Sequence, residues 1–487
     1  MQRKIILLLF LLNLVYAIYG QNTGDFIIQD NVLVKYIGES EHIFIPDTVT
    51  SIGILAFLTN NLKSVTIPPS VTSIDEMAFL RLYLHYPYDQ HRSLESIIVD
   101  EMNLYFSSED GVLFNKDKTI LLRYPENKKD TSYAIPFGVI DINEFAFCGN
   151  NHLTSVTIPP SVIEVKAITF HRCNNLQTVL TYRTTIVNEQ AFDRTTVSIV
   201  YIDEYLEIGD RYILEGRLHE ARSVIEEAIR LDPDYALSHL YLGIIYYDLN
   251  NMLLALESIL HAIELDNTLA VAYFLRARTY QNLNDNAKAL SDYNMALYLE
   301  PDNDRYHRSR GIFLYTIIGN STLALVDFNR AVEINPLNYL NFQQRGVFFS
   351  NYGLHEMALE DHNVSIRLNS EDTFNFNNKG VSLAHLGRNE EALDNFNIAI
   401  QLDSNNYMAC FNRAHVYFKL EMYNEAVHDL TEVIKINPNY RDAYFNRAFL
   451  YRLLADQAED RAQAGYYRDK AQLDENVVAR LDGQMEN

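Results

Sequence analysis

The sequence of 487 residues contains no tryptophan and only three cysteines, Cys148, Cys173 and Cys410. So few cysteines exclude a disulfide-dense secreted scaffold. Cys148 and Cys173 lie in the same half of the chain, where they form either one disulfide or two separate buried thiols. The sequence alone leaves both alternatives open.

Runs of basic residues are also absent. The formal net charge is −24, from 40 Lys and Arg against 64 Asp and Glu. Binding to nucleic acid or to an anionic membrane surface requires a basic face, so we expect neither kind of partner. Beyond the N-terminus, no apolar run reaches the length that crosses a membrane.

Motifs that carry chemistry are missing as well. The sequence has no glycine-rich phosphate loop and no Gly-x-Ser-x-Gly nucleophile motif. His355 and His362 are seven residues apart rather than the four of a zinc-binding helix, and no two cysteines have ligand spacing. We therefore expect no catalytic residues, no metal and no cofactor, and the protein is predicted not to be an enzyme.

The N-terminal segment MQRKIILLLFLLNLVYAIYGQN has a short basic start, an apolar run and then small residues. This pattern is typical of a secretory signal peptide, predicted over residues 1–20 with cleavage after Ala17 or Gly20. The alternative is a buried or membrane-anchoring helix, for which the run is short. We expect the mature protein outside the cytoplasm, as a secreted, cell-surface or periplasmic protein. Asn320-Ser-Thr and Asn363-Val-Ser are glycosylation sequons on some export routes, although chance alone supplies two.

What the sequence does contain is repetition. The octapeptide SVTIPPSV stands at residues 64–71 and again at 155–162. Its flanks repeat every 22 to 23 residues, and the repeating aromatic positions are Phe57, Phe79, Phe147, Phe170 and Phe192. A fixed period of this size predicts a solenoid, with alternating apolar residues on strands that proline ends. Asparagine in each bend is expected to bond bare backbone groups.

The unit Ala-Phe, asparagine, Leu-x-x-Val-x-Ile-Pro resembles the BspA-type leucine-rich repeat family, and we assign residues 21–201 to this domain. EDGVLFNKDKTILLRYP at 109–125 is similar to the hairpin that often interrupts such arrays. The resemblance implies surface display and adhesion, with no binding residues fixed by motif. The insert at 80–93 departs from the pattern and is either a recognition loop or a packed decoration. Its candidate residues are Tyr83, Tyr86, Tyr88 and His91.

From residue 202 the period changes to 34. Gly or Ala on one helix faces Ala on the next, with aromatics beside them and Pro after the second helix. This spacing resembles the tetratricopeptide repeat (TPR) over 202–455, with about seven full repeats and a partial eighth. Residues 456–487 are predicted to form a capping helix and a polar tail. The predicted fold is a two-solenoid repeat protein, with a β-rich leucine-rich repeat solenoid followed by an all-α TPR superhelix.

One set of positions on the first helices is predicted to be exposed in a groove that binds an extended peptide. These residues are Leu240, Ile244, Phe274, Arg278, Arg308, Gln343, Asn377, Phe411, His415 and Phe445. The full Lys and Asn set of the dicarboxylate-clamp variant is absent, so a C-terminal carboxylate ligand is unsupported.

A second set shows covariation within the chain. A cation precedes the Gly or Ala of the first helix where a carboxylate occupies a matching site on the second helix. We predict a structural ladder of ion pairs rather than a ligand site, formed within repeats or between neighbours. Its members are Arg276, Asp292, Arg310, Asp327, Arg345, Asp361, Arg413 and Asp429.

Solenoids present long surfaces rather than deep pockets. The leading hypothesis is therefore an exported, non-catalytic binding or adhesion protein. Its partners are proteins or peptides, held in the helical groove and on the leucine-rich repeat surface. The alternative is a structural or assembly scaffold of the cell envelope or periplasm, with no host ligand.

Overall fold

The computed structural model describes residues 21–58, 61–80, 94–192 and 197–483. The predicted signal peptide and the insert residues Tyr83, Tyr86, Tyr88 and His91 lie outside the described residues. Contacts divide the chain into two compact units, one ending at Leu265 and the other beginning at Asp266. Each unit is described by itself, and the domain boundaries drawn from the sequence stay predictions.

The strand region of the first unit contains, within the described ranges, short strands and a 3₁₀ turn, Glu189–Ala191. The described strands are β1 (Gln21–Thr23), β2 (Phe26–Gln29), β3 (Val32–Tyr36), β4 (His42–Phe44), β5 (Ser51–Ile52), β6 (Ser64–Ile67), β7 (Ser73–Ile74), β8 (Ser96–Val99), β9 (Phe106–Glu109), β10 (Val112–Asn115), β11 (Ile120–Arg123), β12 (Ser132–Ala134), β13 (Asp141–Ile142), β14 (Ser155–Thr157), β15 (Glu164–Val165), β16 (Thr178–Thr181), β17 (Ile186–Val187) and β18 (Ser198–Tyr201).

Parallel ladders join each coil of the strand region to the next. One ladder runs β4-β6-β8, and another runs β12-β14-β16-β18. Val65 and Ile67 of the first octapeptide are fully buried, whereas Ser64 and Thr66 between them are half-buried. β6 ends at Ile67, directly before a proline. The alternation and the strand stop are as the sequence predicts.

Aromatic rings and a bend asparagine complete this core. Phe147 and Phe170 stack with ring centroids 4.9 Å apart, and Phe170 and Phe192 stack at 5.6 Å. Asn150 is fully buried, and its Nδ2 donates to the carbonyls of Pro125 and Lys128 at 2.9 and 3.2 Å. Its Oδ1 also accepts from the two backbone N–H groups of residues 152 and 153. The bend therefore satisfies its backbone polar groups inside the fold.

An antiparallel hairpin interrupts the parallel ladders where the sequence places one. β9, β10 and β11 pair antiparallel, and β11 then pairs parallel with β13. The last strand of the hairpin is thus hydrogen-bonded to the next coil.

Helices follow the last strand and form antiparallel pairs. They are α1 (Ile202–Leu214), α2 (Leu218–Leu231), α3 (Ala236–Asp248) and α4 (Met252–Leu265) in the first unit. The second unit contains α5 (Ala270–Asn282), α6 (Asn286–Leu299), α7 (Asp304–Phe313), α8 (Ser321–Ile334), α9 (Tyr339–Asn351), α10 (His355–Leu368), α11 (Thr373–His385), α12 (Asn389–Leu402), α13 (Tyr407–Lys419), α14 (Tyr423–Ile436), α15 (Arg441–Gln457) and α16 (Arg461–Leu481). Odd-numbered helices are the first helices of their repeats.

Small residues let paired helices cross closely. A Cβ added at Gly311 would lie 2.9 Å from the ring of Phe328, and one at Gly346 would lie 2.7 Å from the ring of His362. The repeat that begins at α7 is one residue longer, and a π-helical turn at Leu314–Ile318 absorbs that residue. The spacing of the neighbouring helices is thereby kept.

The first helices of the first unit share a core with the last coil of strands. Leu180 and Tyr182 pack in one apolar cluster with Ile202 and Leu206 of α1. The hydroxyl of Tyr182 donates to Asp232 Oδ2 at 2.5 Å. Strands and helices are therefore continuous in packing within this unit.

Candidate functional site

Four bidentate ion pairs cross the helix pairs of the second unit. In each, Nε and Nη2 of an arginine on the first helix donate to the two oxygens of an aspartate on the second helix, at 2.6–2.8 Å. The pairs are Arg276–Asp292, Arg310–Asp327, Arg345–Asp361 and Arg413–Asp429. All four lie within a repeat, which decides between the two alternatives that the sequence left open.

Three of these four arginines also reach the preceding repeat through Nη1. Arg310 Nη1 donates to Asn294 Oδ1 at 2.7 Å, and Arg345 Nη1 donates to Asn329 Oδ1 at 2.9 Å. Arg413 Nη1 donates to Asn397 Oδ1 at 2.6 Å. Each of these guanidinium groups thus links its own first helix to the second helix of the same repeat and to the second helix of the preceding repeat.

A fifth pair uses the capping helix. Arg447 of α15 donates to both oxygens of Asp474 on α16, at 2.8 and 2.7 Å. The sequence analysis missed this partner because the helix after α15 is displaced from the 34-residue spacing. The sixth repeat departs from the pattern, with Lys379 and Asn395 at the two positions, and Asn395 Nδ2 donates to the carbonyl of Glu391 at 2.7 Å.

Two ladder carboxyls differ because one has an added histidine. Burial raises the pKa of Asp361, and the bond from Arg345 offsets only part of that effect. Burial also acts on Asp327, but bonds from Arg310 and from His307, the latter at 2.9 Å, hold the pKa of that carboxyl below its usual value.

Four of the ten predicted groove residues are buried, so the expectation that they are exposed was wrong. Leu240, Phe274, Gln343 and Asn377 are between 2% and 6% exposed. In the second unit the cause is the next first helix, which covers this position. The remaining predicted residues of this set are half-buried or exposed: Ile244, Arg278, Arg308, Phe411, His415 and Phe445.

Contacts with the next first helix explain these burials in the second unit. Phe274 stacks on Tyr306 with ring centroids 4.7 Å apart. Gln343 Nε2 donates to Asp372 Oδ2 at 3.0 Å and to Asn375 Oδ1 at 2.9 Å.

Polar contacts likewise tie down two more members of the set. Asn377 Oδ1 accepts from Asn412 Nδ2 at 2.9 Å. Arg308 donates to Asn341 Oδ1 at 2.5 Å, and burial lowers the pKa of its guanidinium. These side chains hold neighbouring repeats together instead of standing free for a partner.

Three predicted groove residues do converge, in an apolar cavity of about 340 Å³ between α13, α14 and α15. These are Phe411, His415 and Phe445. The cavity is also lined by residues that the sequence analysis did not select, namely Ala414, Phe418, Leu430, Asn446, Phe449 and Leu450. Phe449 stands 34 residues after His415, so the repeat spacing itself was the signal for it.

The cavity wall exposes large apolar surface. Phe445 is 54% exposed and Phe449 is 48% exposed. The rings of Phe418 and Phe449 meet edge to face with centroids 5.9 Å apart. Contiguous exposed aromatics around a concave site are typical of a binding surface, because they bury large area with few rotatable bonds. The arrangement can hold an apolar side chain; it contains no nucleophile paired with a base.

Charge is distributed unevenly between the two rows of helices in the second unit. The six first helices carry twelve Lys and Arg but three Asp and Glu, whereas the five second helices α6, α8, α10, α12 and α14 carry four and twelve. The row of helices that contributes most of the cavity wall is therefore the basic one in an acidic chain.

The remaining sequence predictions concern cysteines, metals and membranes. Cys148 and Cys173 are separate buried thiols, and Cys173 Sγ donates to the carbonyl of Phe147 at 3.1 Å. Burial, with Cys148 nearby, raises the pKa of the Cys173 thiol to about 12. Over the described ranges, no cluster of three or more His, Cys, Asp or Glu has the geometry of a metal site. No helix of this part of the chain is long and apolar enough to cross a membrane.

Comparison with known families agrees with both kinds of repeat. A model of the BspA type leucine rich repeat region matches six copies over residues 27–97 and 125–222. Tetratricopeptide repeat models match residues 209–250, 270–303 and 407–440. The chain joins BspA-type leucine-rich repeats to tetratricopeptide repeats. The leucine-rich match extends past the last strand into α1 and α2, which are helices. Families of both kinds are typically non-catalytic scaffolds for protein–protein interaction.

Two of the solved structures that are similar to part of this chain are described as tetratricopeptide repeat proteins, and a third is a complex. YrrB, described as a TPR protein with an unusual peptide-binding site, is 24% identical over 38% of this chain and 95% of its own, with a TM-score of 0.32. A tetratricopeptide repeat protein from Parabacteroides merdae is 19% identical over 51% of this chain and 98% of its own, with a TM-score of 0.40. The APC/C hetero-tetramer Cut9-Hcn1 is 17% identical with a TM-score of 0.40, and the alignment covers 51% of this chain and 55% of that one. No curated protein matches the chain.

Proposed function

We propose that the protein is an exported, non-catalytic binding protein that holds an extended segment of a partner protein on the first helices of its second unit. The observation that carries this proposal is the aromatic cavity between α13, α14 and α15. Its half-exposed Phe445 and Phe449 leave apolar surface uncovered, and its volume of about 340 Å³ suits a single large apolar side chain.

An anchor of this kind accounts for affinity in short-segment recognition. A few buried aromatic contacts supply most of the binding free energy, while polar groups around them orient the bound chain. Asn446 also lines the cavity, and an amide side chain can both donate to and accept from a bound backbone. The leucine-rich repeats provide a second surface in this proposal, consistent with the frequent placement of BspA-type repeats on cell surfaces.

A selection from a displayed library of random peptides on the full chain tests the anchor. We expect enriched peptides to share one large apolar residue. The double variant Phe445→Ser/Phe449→Ser should lose at least about tenfold in affinity for them, equal to about 1.4 kcal/mol. A matched control is Tyr298→Ser on α6, which removes an aromatic that is 79% exposed and does not line the cavity. Unchanged affinity in the double variant would reject this site.

Export is tested separately on the native host cell. We expect the secreted or surface form to begin at Ile18 or Gln21, according to which of the two predicted cleavage positions is used. N-terminal sequencing of the mature protein distinguishes them. Protease added to intact cells should degrade a surface protein. Complete protection would instead favour the envelope or periplasmic scaffold.

A further inference from the structure

A row of side chains on α13 continues from the aromatic cavity toward a cation. Phe411, His415 and Lys419 follow one another at intervals of four residues, so they lie on one face of the helix. The first two line the cavity, and Lys419 follows His415 by one turn at the end of α13. Both His415 and Lys419 are exposed.

Two further histidines, His385 and His355, place imidazoles beside this end of the row. His385 ends α11 and occupies the position that Lys419 occupies one repeat later, 34 residues on. Its ring stacks on that of His355, with centroids 4.5 Å apart and planes 2° from parallel. The charges that act on His385 come from His355, Lys419 and His415, and burial together with these cations lowers the pKa of its imidazole. The groups from α10, α11 and α13 therefore form one cluster of three imidazoles and one ammonium: His355, His385, His415 and Lys419. The lowered pKa of His385 and of His415 disfavours their charged form, so these rings offer N–H donors, whereas Lys419 supplies an ammonium.

The cluster lacks the carboxylates that accompany other cations near the cavity. On α15, Arg441 pairs with Asp482 at 2.8 Å, and Arg452 pairs with Glu475 at 2.5 Å. Across the described ranges, His385, His415 and Lys419 form no ion pair or hydrogen bond with an acidic side chain. In a chain with a net charge of −24, the Lys419 ammonium stands out as a cation without an acidic partner in the described ranges, beside imidazole donors and exposed apolar surface.

We propose that the segment bound at the aromatic cavity carries carboxylates next to its apolar anchor, and that these carboxylates lie against His385, His415 and Lys419. The inference rests on the proposed function, since it assigns the chemistry of the same bound segment. Charge complementarity identifies the occupant as an acidic protein segment, because a basic one would bring like charges together at short range.

Three fluorescent peptides of twelve residues test the charge preference on the full chain. They share one phenylalanine and differ in the three residues after it, which are aspartates, asparagines or lysines. We expect the aspartate peptide to bind most tightly and the lysine peptide most weakly, with about a tenfold range in Kd at low salt and a smaller range at high salt. Fluorescence anisotropy measures each Kd.

Lys419→Glu should weaken the aspartate peptide and strengthen the lysine peptide. The matched control is Lys435→Glu on α14, which makes the same charge change on an exposed lysine of the same repeat that pairs with Glu432. Phe445→Ser/Phe449→Ser should weaken all three peptides alike. Circular dichroism of each variant checks that the helices are intact.

Two results would overturn the inference. Equal binding of the aspartate and asparagine peptides, with no effect of Lys419→Glu beyond that of Lys435→Glu, contradicts the acidic segment but leaves the apolar anchor standing if the double phenylalanine variant still loses binding. Failure of all three peptides to bind the wild type contradicts the anchor itself, and with it the proposed function.

Discussion

The strand coils and the helical repeats fix the register between neighbouring repeats by different interactions. Neighbouring coils share backbone hydrogen bonds, as in the ladder β12-β14-β16-β18, so their register is set by the main chain. In a helix the backbone hydrogen bonds form within the helix itself. The main chain therefore does not fix the register of one helical repeat against the next. In the second unit, half-buried arginines do so instead, as when Arg345 bonds to both Asp361 and Asn329.

The two units also differ in how they arrange their exposed apolar residues. In the first unit Ile140, Ile163 and Ile186 recur every 23 residues and are 55%, 71% and 64% exposed, where earlier coils place Thr50 and Thr72. This isoleucine row presents exposed apolar surface on which a partner side chain would make flat contacts. In the second unit, exposed phenylalanines surround a cavity that can desolvate a side chain. Enclosed anchors contribute more to binding than flat contacts, so the helical unit is the stronger binding candidate.

The largest effect is expected from breaking one ladder pair. Arg345→Leu leaves Asp361, a carboxyl that is 4% exposed, without its partner, and should lower the free energy of unfolding of the helical repeats by about 4 kcal/mol. The double variant Arg345→Ile/Asp361→Val copies the pair Ile208 and Val224 of the first repeat and should regain most of that loss. Urea unfolding followed by circular dichroism at 222 nm measures both. A single variant as stable as the wild type would refute the ladder's role.

The strand core should respond almost as strongly to an apolar deletion. Phe170 is 1% exposed and stacks on Phe147 and Phe192, so Phe170→Ala should cost about 3 kcal/mol. Phe170→Leu, the control, should cost about 1 kcal/mol. Hydrogen exchange should speed up in the strands around β14 and β16. Faster exchange confined to the second unit would contradict the division between the two cores.

A buried histidine makes the helical repeats sensitive to acid. His362 is fully buried, both of its ring nitrogens lack a partner in the described structure, and burial, with Lys379 nearby, lowers its pKa to about 4. As the pH falls, the unfolded state binds a proton at His362 before the folded state does. The contribution of neutral His362 to stability is therefore complete above pH 6.5 and is lost as the pH falls toward 4. The loss amounts to about 2–3 kcal/mol at pH 4.5.

His362→Phe tests this acid sensitivity directly. Phe328 and Phe396 occupy the equivalent position against Gly311 and Gly380, so phenylalanine fits there. The variant should flatten the dependence of the unfolding midpoint on pH between 7.5 and 4.5. The control is His219→Phe, because His219 is an exposed histidine on α2. This variant should leave the slope unchanged. An identical slope in His362→Phe would rule out this histidine as the cause.

The smallest effect is expected at the cap of α16. Asp460 accepts from the backbone N–H groups of Ala462 and Gln463 at 3.2 and 3.3 Å. Asp460→Ala should cost about 1 kcal/mol, and Asp460→Asn should be nearly neutral. Because α16 supplies Asp474 to Arg447, faster hydrogen exchange should appear at α15 and α16. Equal stability of the alanine and asparagine variants would show that the cap is unimportant.

Periodicity predicts most of this fold, because a repeat of 22 to 23 residues and one of 34 each leave a distinct apolar pattern. Covariation between Arg276 and Asp292 and their equivalents predicts which residues belong to the ladder. It does not predict Asp474, whose helix is out of step with the repeat. The burial of Gln343 and Asn377 was also beyond the sequence, since it depends on how closely the next first helix approaches. The cavity was only partly predictable, because Phe418 and Leu430 reach it from positions outside the chosen row.

Photo-crosslinking of one bound peptide compares the two surfaces most directly. A peptide selected on the full chain is exposed to variants that carry benzoylphenylalanine at Phe449, in the helical cavity, or at Ile163, in the isoleucine row. We expect a strong crosslink from position 449 that excess unlabelled peptide abolishes, and only background labelling from position 163. Specific labelling from position 163, with none from position 449, would contradict this expectation.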